Sequence, residues 1–226
     1  MTKTLLGFRQ VFNLTRKSLE KRLLAYFKET DDAEYIIECA VAAQVRNAHS
    51  KEDFSFLAKD LIRSLLLTGE RLPSKNHLCL FFRGYFSEDE WRSVLVRQFE
   101  CPGDYLSAAN KYAPTINSLE PLLSSGSREV PDRATLIARF KDGAGYFHEI
   151  KIKNAIIDIS PYDTRELSRV LILLTGLKRN GVRSFVKAIS ANRERIIEVR
   201  KNDLVFINDR LGDKPLFSRE WFINDK

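Results

Sequence analysis

Apolar residues recur at helical spacing through the first half of the chain. Leu5, Phe8, Phe12, Leu19, Leu23 and Phe27 form one stripe with charges between them, which predicts helix over this stretch. Thr30-Asp31-Asp32 is a stop and restart, and Ile36, Ile37, Ala40, Val41 and Val45 mark a second helix. Ser50 with Asp53 has the spacing of a capping box. Phe54, Leu57, Leu61 and Leu65 follow on one face, and Gly69 suits a C-terminal stop. Leu72-Pro73-Ser74 breaks the pattern, and the apolar run His77 to Phe82 is compatible with strand or helix. Ser87 with Glu90 is a full capping box opening a helix through Trp91, Leu95 and Phe99. Cys101-Pro102-Gly103 is expected to end it, with short helices continuing to about Leu123.

The period changes after Ser124-Ser125-Gly126-Ser127, which has linker composition. Thr135 to Lys141 and Tyr146 to Lys153 are β-rich runs around Asp142-Gly143-Ala144-Gly145, the pattern of a hairpin with a four-residue loop. Ala155 to Ile159 reads as a third strand, closed by Ser160-Pro161. Asp163 and Glu166 open a helix carrying Leu167, Val170, Leu171 and Leu174, with Gly176 or Asn180-Gly181 as its stop. Phe185 to Ile197 fits either a helix or a hairpin turning at Ala191-Asn192, and Asp203 to Asn208 reads as a strand. The class is α+β. A helical domain is expected over 1–124, then a smaller mixed domain over 125–226 with an antiparallel hairpin or meander and one or two helices.

Composition narrows the class. A chain of 226 residues with 44% hydrophobic content and 15 Phe can bury an ordinary core, which excludes intrinsic disorder. Cys39, Cys79 and Cys101 are too scattered for a disulfide framework and fit a reducing compartment. No apolar run reaches the ~18 residues of a membrane span, and the first residues carry too short an apolar run for a signal peptide. The expectation is a soluble cytoplasmic or nuclear protein, not secreted, with no membrane partner.

Charge singles out one segment. The net charge is +7, and residues 151–200 hold 11 basic against 5 acidic side chains, a surplus of 6. Within 165–201 stand Arg165, Arg169, Lys178, Arg179, Arg183, Lys187, Arg193, Arg195, Arg200 and Lys201, opposed by Glu166, Glu194 and Glu198. Such a concentration attracts backbone phosphates, and arginine forks suit bidentate contacts. A helical Phe185–Ile197 would give a helix-turn-helix with a following strand as wing, placing Arg183, Lys187 and Arg193 on a groove-facing helix. The alternative is an Arg-rich solvated face that meets an acidic protein. Lys178-Arg179 would also complement a helix C-terminus there.

One catalytic pattern is present. Pro131-Asp132 is followed by Glu149-Ile150-Lys151, which resembles the PD-(D/E)xK pattern of restriction-type nucleases. The resemblance covers about twenty residues and implies Asp132 and Glu149 as Mg²⁺ ligands and Lys151 as the residue that orients or activates the attacking water. The hairpin would set Glu149 opposite about Ala138, with Asp132 some six residues further along, roughly 20 Å. Strand alternation also places Glu149, Lys151 and Lys153 on a solvent face. His77 and Cys79 lack a second pair to complete a zinc site.

The favoured reading is a non-enzymatic accessory protein. Its partner would be nucleic acid, held through Arg165, Arg169, Lys178, Arg179, Arg183, Lys187, Arg193 and Arg195, with a protein partner or self-association through the helical half. No cofactor is expected, and Mg²⁺ only if the nuclease alternative holds. The other alternative is a protein-interaction module or complex subunit without nucleic acid.

Overall fold

A computed structural model describes residues 6–129 and 133–196, without side-chain placement for 133, 195 and 196. The architecture is α+β. Helices α1 (Phe8–Asn13), α2 (Arg16–Thr30), α3 (Ala33–His49), α4 (Lys59–Leu67), a 3-10 helix (Asn76–Tyr85), α5 (Glu88–Gln98) and α6 (Pro102–Leu123) precede β1 (Arg133–Lys141) and β2 (Phe147–Ala155). Then come α7 (Pro161–Leu173), the short β3 (Lys178–Arg179) and β4 (Val182–Arg183), and β5 (Lys187–Ile196). The strands form an antiparallel sheet in the order β2-β1-β5 and a separate β3-β4 hairpin.

Helix α3 is the centre. Every side chain from Ile36 to His49 is buried, as expected of a helix whose apolar positions run all round. Its Ala40, Ala42 and Ala43 are small enough to admit neighbours on every side. Against it pack α1, α2, α4, the 3-10 helix, α6, α7 and β2. The buried apolar residues form one cluster that includes Leu6 and Ala191. Phe8 and Phe12 of α1 meet Phe185 at 5.4 and 6.4 Å between ring centroids, and Phe185 meets Phe140 of β1 at 4.9 Å.

Several local expectations hold. Asp31 takes the left-handed conformation (φ 55°) that ends α2, and Asp32 caps α3 by accepting from Tyr35 N at 2.9 Å. The Ser87–Glu90 capping box is complete on both sides. The β1–β2 hairpin turns at Asp142–Gly145, where Gly145 has φ 89° and Asp142 Oδ1 accepts from Ala144 N and Tyr146 N.

Others are corrected. The stripe from Leu5 to Phe27 is broken at Leu14–Thr15 into α1 and α2, with Thr15 capping the second. Ser50 does not open a helix: its hydroxyl accepts from Glu52 N, Asn47 Oδ1 takes Phe54 N at 2.6 Å, and α4 begins only at Lys59. Pro102 starts a helix, as proline at the first position allows, so a single 22-residue α6 replaces the short helices expected after Gly103. Ile156–Ile159 is not strand, because Ile156 N is taken by His49 O and the chain leaves the sheet. Asn180-Gly181, with φ of 51° and 79°, is the two-residue turn of the β3–β4 hairpin and not a helix stop. Residues 187–196 are neither helix nor hairpin but one strand paired along β1, so the helix-turn-helix arrangement does not form. The strand expected at Asp203–Asn208 lies outside the described residues.

Candidate functional site

Among the described residues, most helix C-termini are closed by arginine, which changes what the basic residues are available to do. The last carbonyls of a helix lack intrahelical partners. Arg46 Nη1 donates to Val11 O (2.8 Å) and Leu14 O (2.5 Å) at the end of α1. Arg128 Nη2 reaches Ala48 O of α3 at 2.6 Å, and Arg97 reaches Thr68 O and Gly69 O beyond α4. Arg63 donates to Tyr85 O of the 3-10 helix, Arg71 to Arg97 O of α5, and Arg183 to Ile172 O of α7. These six guanidiniums close backbone, and their charge complements the negative helix ends.

The residues of the basic segment disperse accordingly. Arg193 is only 7% exposed and donates to Ile159 O (3.2 Å) and Thr164 Oγ1 (2.8 Å). Burial lowers its pKa to about 10, opposed by Asp158, so it stays charged at neutral pH. Arg165 and Arg169 both pair with the buried carboxylate of Glu166, at 3.3 and 2.9 Å. Lys178 and Arg179 are exposed on β3, past the end of α7, and Lys187 is exposed at the start of β5. Arg195 stands opposite Ala134 in the sheet, its side chain outside the described residues. Arg200 and Lys201 also lie outside them.

The sheet has one covered and one open face. Leu136, Ala138, Phe140, Ile150, Ile152, Ala188 and Ala191 point into the core. The intervening residues make rows across the strands: Phe147, Lys141 and Lys187, then Glu149, Arg139 and Ser190, then Lys151, Ile137 and Asn192. Lys153 continues the β2 column and Glu194 the β5 column. The open face thus carries Arg139, Lys141, Lys151, Lys153 and Lys187 against Glu149 and Glu194, with Arg139 pairing Glu149 at 2.8 Å. The row from Phe147 to Lys187 is about 10 Å wide, and successive rows lie about 7 Å apart.

Two aromatic rings stand out of this basic end of the sheet: Tyr146 is 73% exposed and Phe147 57%. Beside them the β3–β4 hairpin is held to the turn by Gly143 N donating to Arg183 O at 2.9 Å, which brings exposed Lys178 and Arg179 to the same end. A cleft of about 790 Å³ runs between α1 and the outer edge of β2. Its apolar residues are the exposed Phe147 and the almost fully buried Phe12 and Ile150, its cations Arg9, Arg46, Arg139, Lys151 and Lys153, its carboxylates Glu52 and Glu149, and its neutral polar groups Asn13, Thr15 and Asn154. Glu52 is the carboxylate near Arg46, at 3.8 Å, and burial lowers the Arg46 pKa to about 10.

No family model, no curated protein and no solved structure matches this chain.

Of the nuclease-like residues, Glu149 and Lys151 share the open face, and Asp132 lies outside the described residues. Glu149 faces Arg139 and not Ala138, one residue from the expected register. Among the described residues, no three His, Cys, Asp or Glu side chains are grouped to hold a metal, and no helix is long and apolar enough to cross a membrane. Sequence reasoning passed over Arg9, Arg139, Lys141, Tyr146 and Phe147 as functional residues. For Arg139, Lys141 and Phe147 the signal that could have found them is the alternation of β1 and β2, which puts them on one face although they are not contiguous in the chain.

Proposed function

We propose that this chain is a non-enzymatic nucleic-acid-associated accessory protein, and that its contact surface is the open sheet face with the adjoining β3–β4 hairpin. The observation that carries this reading is the coincidence of unburied lysines with exposed aromatic rings. Lys141, Lys151, Lys153 and Lys187 share a face with Phe147, while Lys178 and Arg179 flank it. Cations on such a face attract phosphate and release its counterions. The arginines of the same chain that cap helices or pair with Glu166 take no part.

The test is binding of labelled nucleic acid at two salt concentrations, with and without Mg²⁺. Replacing Lys141, Lys151 and Lys153 together with alanine should weaken binding for all sequences alike and flatten the salt dependence by about 2–3 in log–log slope. Replacing the exposed Lys17, Lys21 and Lys28 of α2 removes the same charge elsewhere and should leave the slope nearly unchanged. Equal effects of the two triple variants would refute the assigned surface. Absence of binding at low salt would refute the function and leave a protein-interaction module. Mg²⁺-dependent cleavage lost in Glu149→Ala would replace it with the nuclease alternative.

A further inference from the structure

Resting on that reading, we infer that the nucleic acid is single-stranded, and that its bases stack on Phe147 and Tyr146 and lie toward the cleft between α1 and β2 while its backbone follows the lysines. A duplex presents phosphates but keeps the flat faces of its bases inside the stack, so it has no use for rings held out on a basic surface. A single strand offers both groups, and proteins that bind it combine a charged track with aromatic platforms.

The placement of the two rings is specific. Tyr146 and Phe147 are consecutive, at the end of a tight turn whose backbone is fixed by Asp142 Oδ1 and by Gly145 in a positive-φ conformation. Phe147 heads the β2 column and sits in the same row as Lys141 and Lys187. A base on Phe147 would therefore have two cations on its β1 side within about 10 Å. On the other side the cleft opens along the outer edge of β2, with the exposed Phe147 ring for a base and Arg9, Lys151 and Lys153 for phosphate, beside the carboxylates of Glu52 and Glu149. At about 790 Å³ the cleft falls in the ~300–1,000 Å³ range of pockets that take small ligands.

The experiment compares a labelled single strand of about twelve nucleotides, within the span such sites cover, with the duplex of the same sequence. The variants Phe147→Ala and Tyr146→Ala are the probes, since both side chains are exposed and their removal leaves the core intact. The single strand should bind the full chain more tightly than the duplex. Phe147→Ala should weaken single-strand binding roughly 5- to 140-fold, the worth of one base–aromatic stack, without altering the salt slope. Phe147→Trp should retain affinity and show indole fluorescence quenched on binding. The inference is overturned if the duplex binds as tightly as the single strand, or if both alanine variants bind the single strand unchanged, with salt-sensitive binding persisting in either case. Loss of salt-sensitive binding to both forms would instead overturn the underlying nucleic-acid reading.

Discussion

Glu38 is a position where a single substitution should be strongly destabilising. Its carboxylate, fully buried on α3, accepts from Thr175 N at 2.9 Å and Gly176 N at 2.6 Å, and pairs with Lys75 Nζ at 2.5 Å. It thus ties the connection after α7 to the central helix and to the loop before the 3-10 helix. Glu38→Ala leaves two backbone N–H groups without acceptors and the ammonium of a Lys75 side chain only 11% exposed, whose other carboxylate neighbour is Glu34 at 3.7 Å. Breaking a buried pair by removing one partner costs about 3–5 kcal/mol. At the ~2–4 °C per kcal/mol of a domain this size, Tm should fall by roughly 6–20 °C. Glu38→Gln keeps an acceptor for the N–H groups but loses the charge, and should fall between wild type and alanine. Gly176→Ala perturbs the same point without touching a charge, because a Cβ there would lie 2.8 Å from Lys75 Nζ and 2.9 Å from Glu38 Oε2. Urea unfolding followed by circular dichroism measures all three. A loss below about 1 kcal/mol for Glu38→Ala at unchanged m, close to what surface substitutions give, would refute the reasoning.

Two further predictions follow from buried titratable groups. Burial first, then the neighbouring charges of Arg193 and Arg128, lowers the His49 pKa well below its ordinary 6.5. The unfolded chain therefore binds the proton more readily, and the stability contributed by neutral His49 is complete above pH 6.5 and lost as pH falls below it. The slope should reach about 1.4 kcal/mol per pH unit for one proton. Unfolding free energies measured between pH 7 and 5 should show this decline, and it should flatten in His49→Gln while His77, lowered in the same direction, leaves a residual slope. Cys101 is exposed whereas Cys39 and Cys79 are buried, and burial raises Cys79 to about 12. A thiol reagent should thus label one cysteine quickly in the native protein and all three only after denaturation, and fast labelling of two would contradict the packing around α3.

What was legible in the sequence is what short-range chemistry decides. The Asp31-Asp32 restart, the Ser87–Glu90 box and the Asp142–Gly145 turn each depend on side chains within a few residues of the backbone groups they satisfy. The apolar periods of α7 and β2 marked which faces would be buried, and the change of period along the chain gave the α+β class. Asn180-Gly181 carried a hairpin signal of the same local kind, but a preceding helical stripe made it look like a stop.

The rest depended on partners far along the chain. Residues 187–196 are strand because β1 offers them a ladder over Arg133–Lys141, a choice that their own spacing leaves open between helix and hairpin. The fate of each arginine was equally non-local. Arg183 and Arg193 turn inward because Ile172 and Ile159 present carbonyls that need donors, whereas Lys141 and Lys187 remain on the surface because the sheet pairs them across its open side. Sequence alone determined how many cations the chain carries and the period on which they recur. Only the tertiary structure decided which of them close the backbone and which are left for another molecule, because a buried carbonyl must find a donor and the nearest one can be any distance away in sequence.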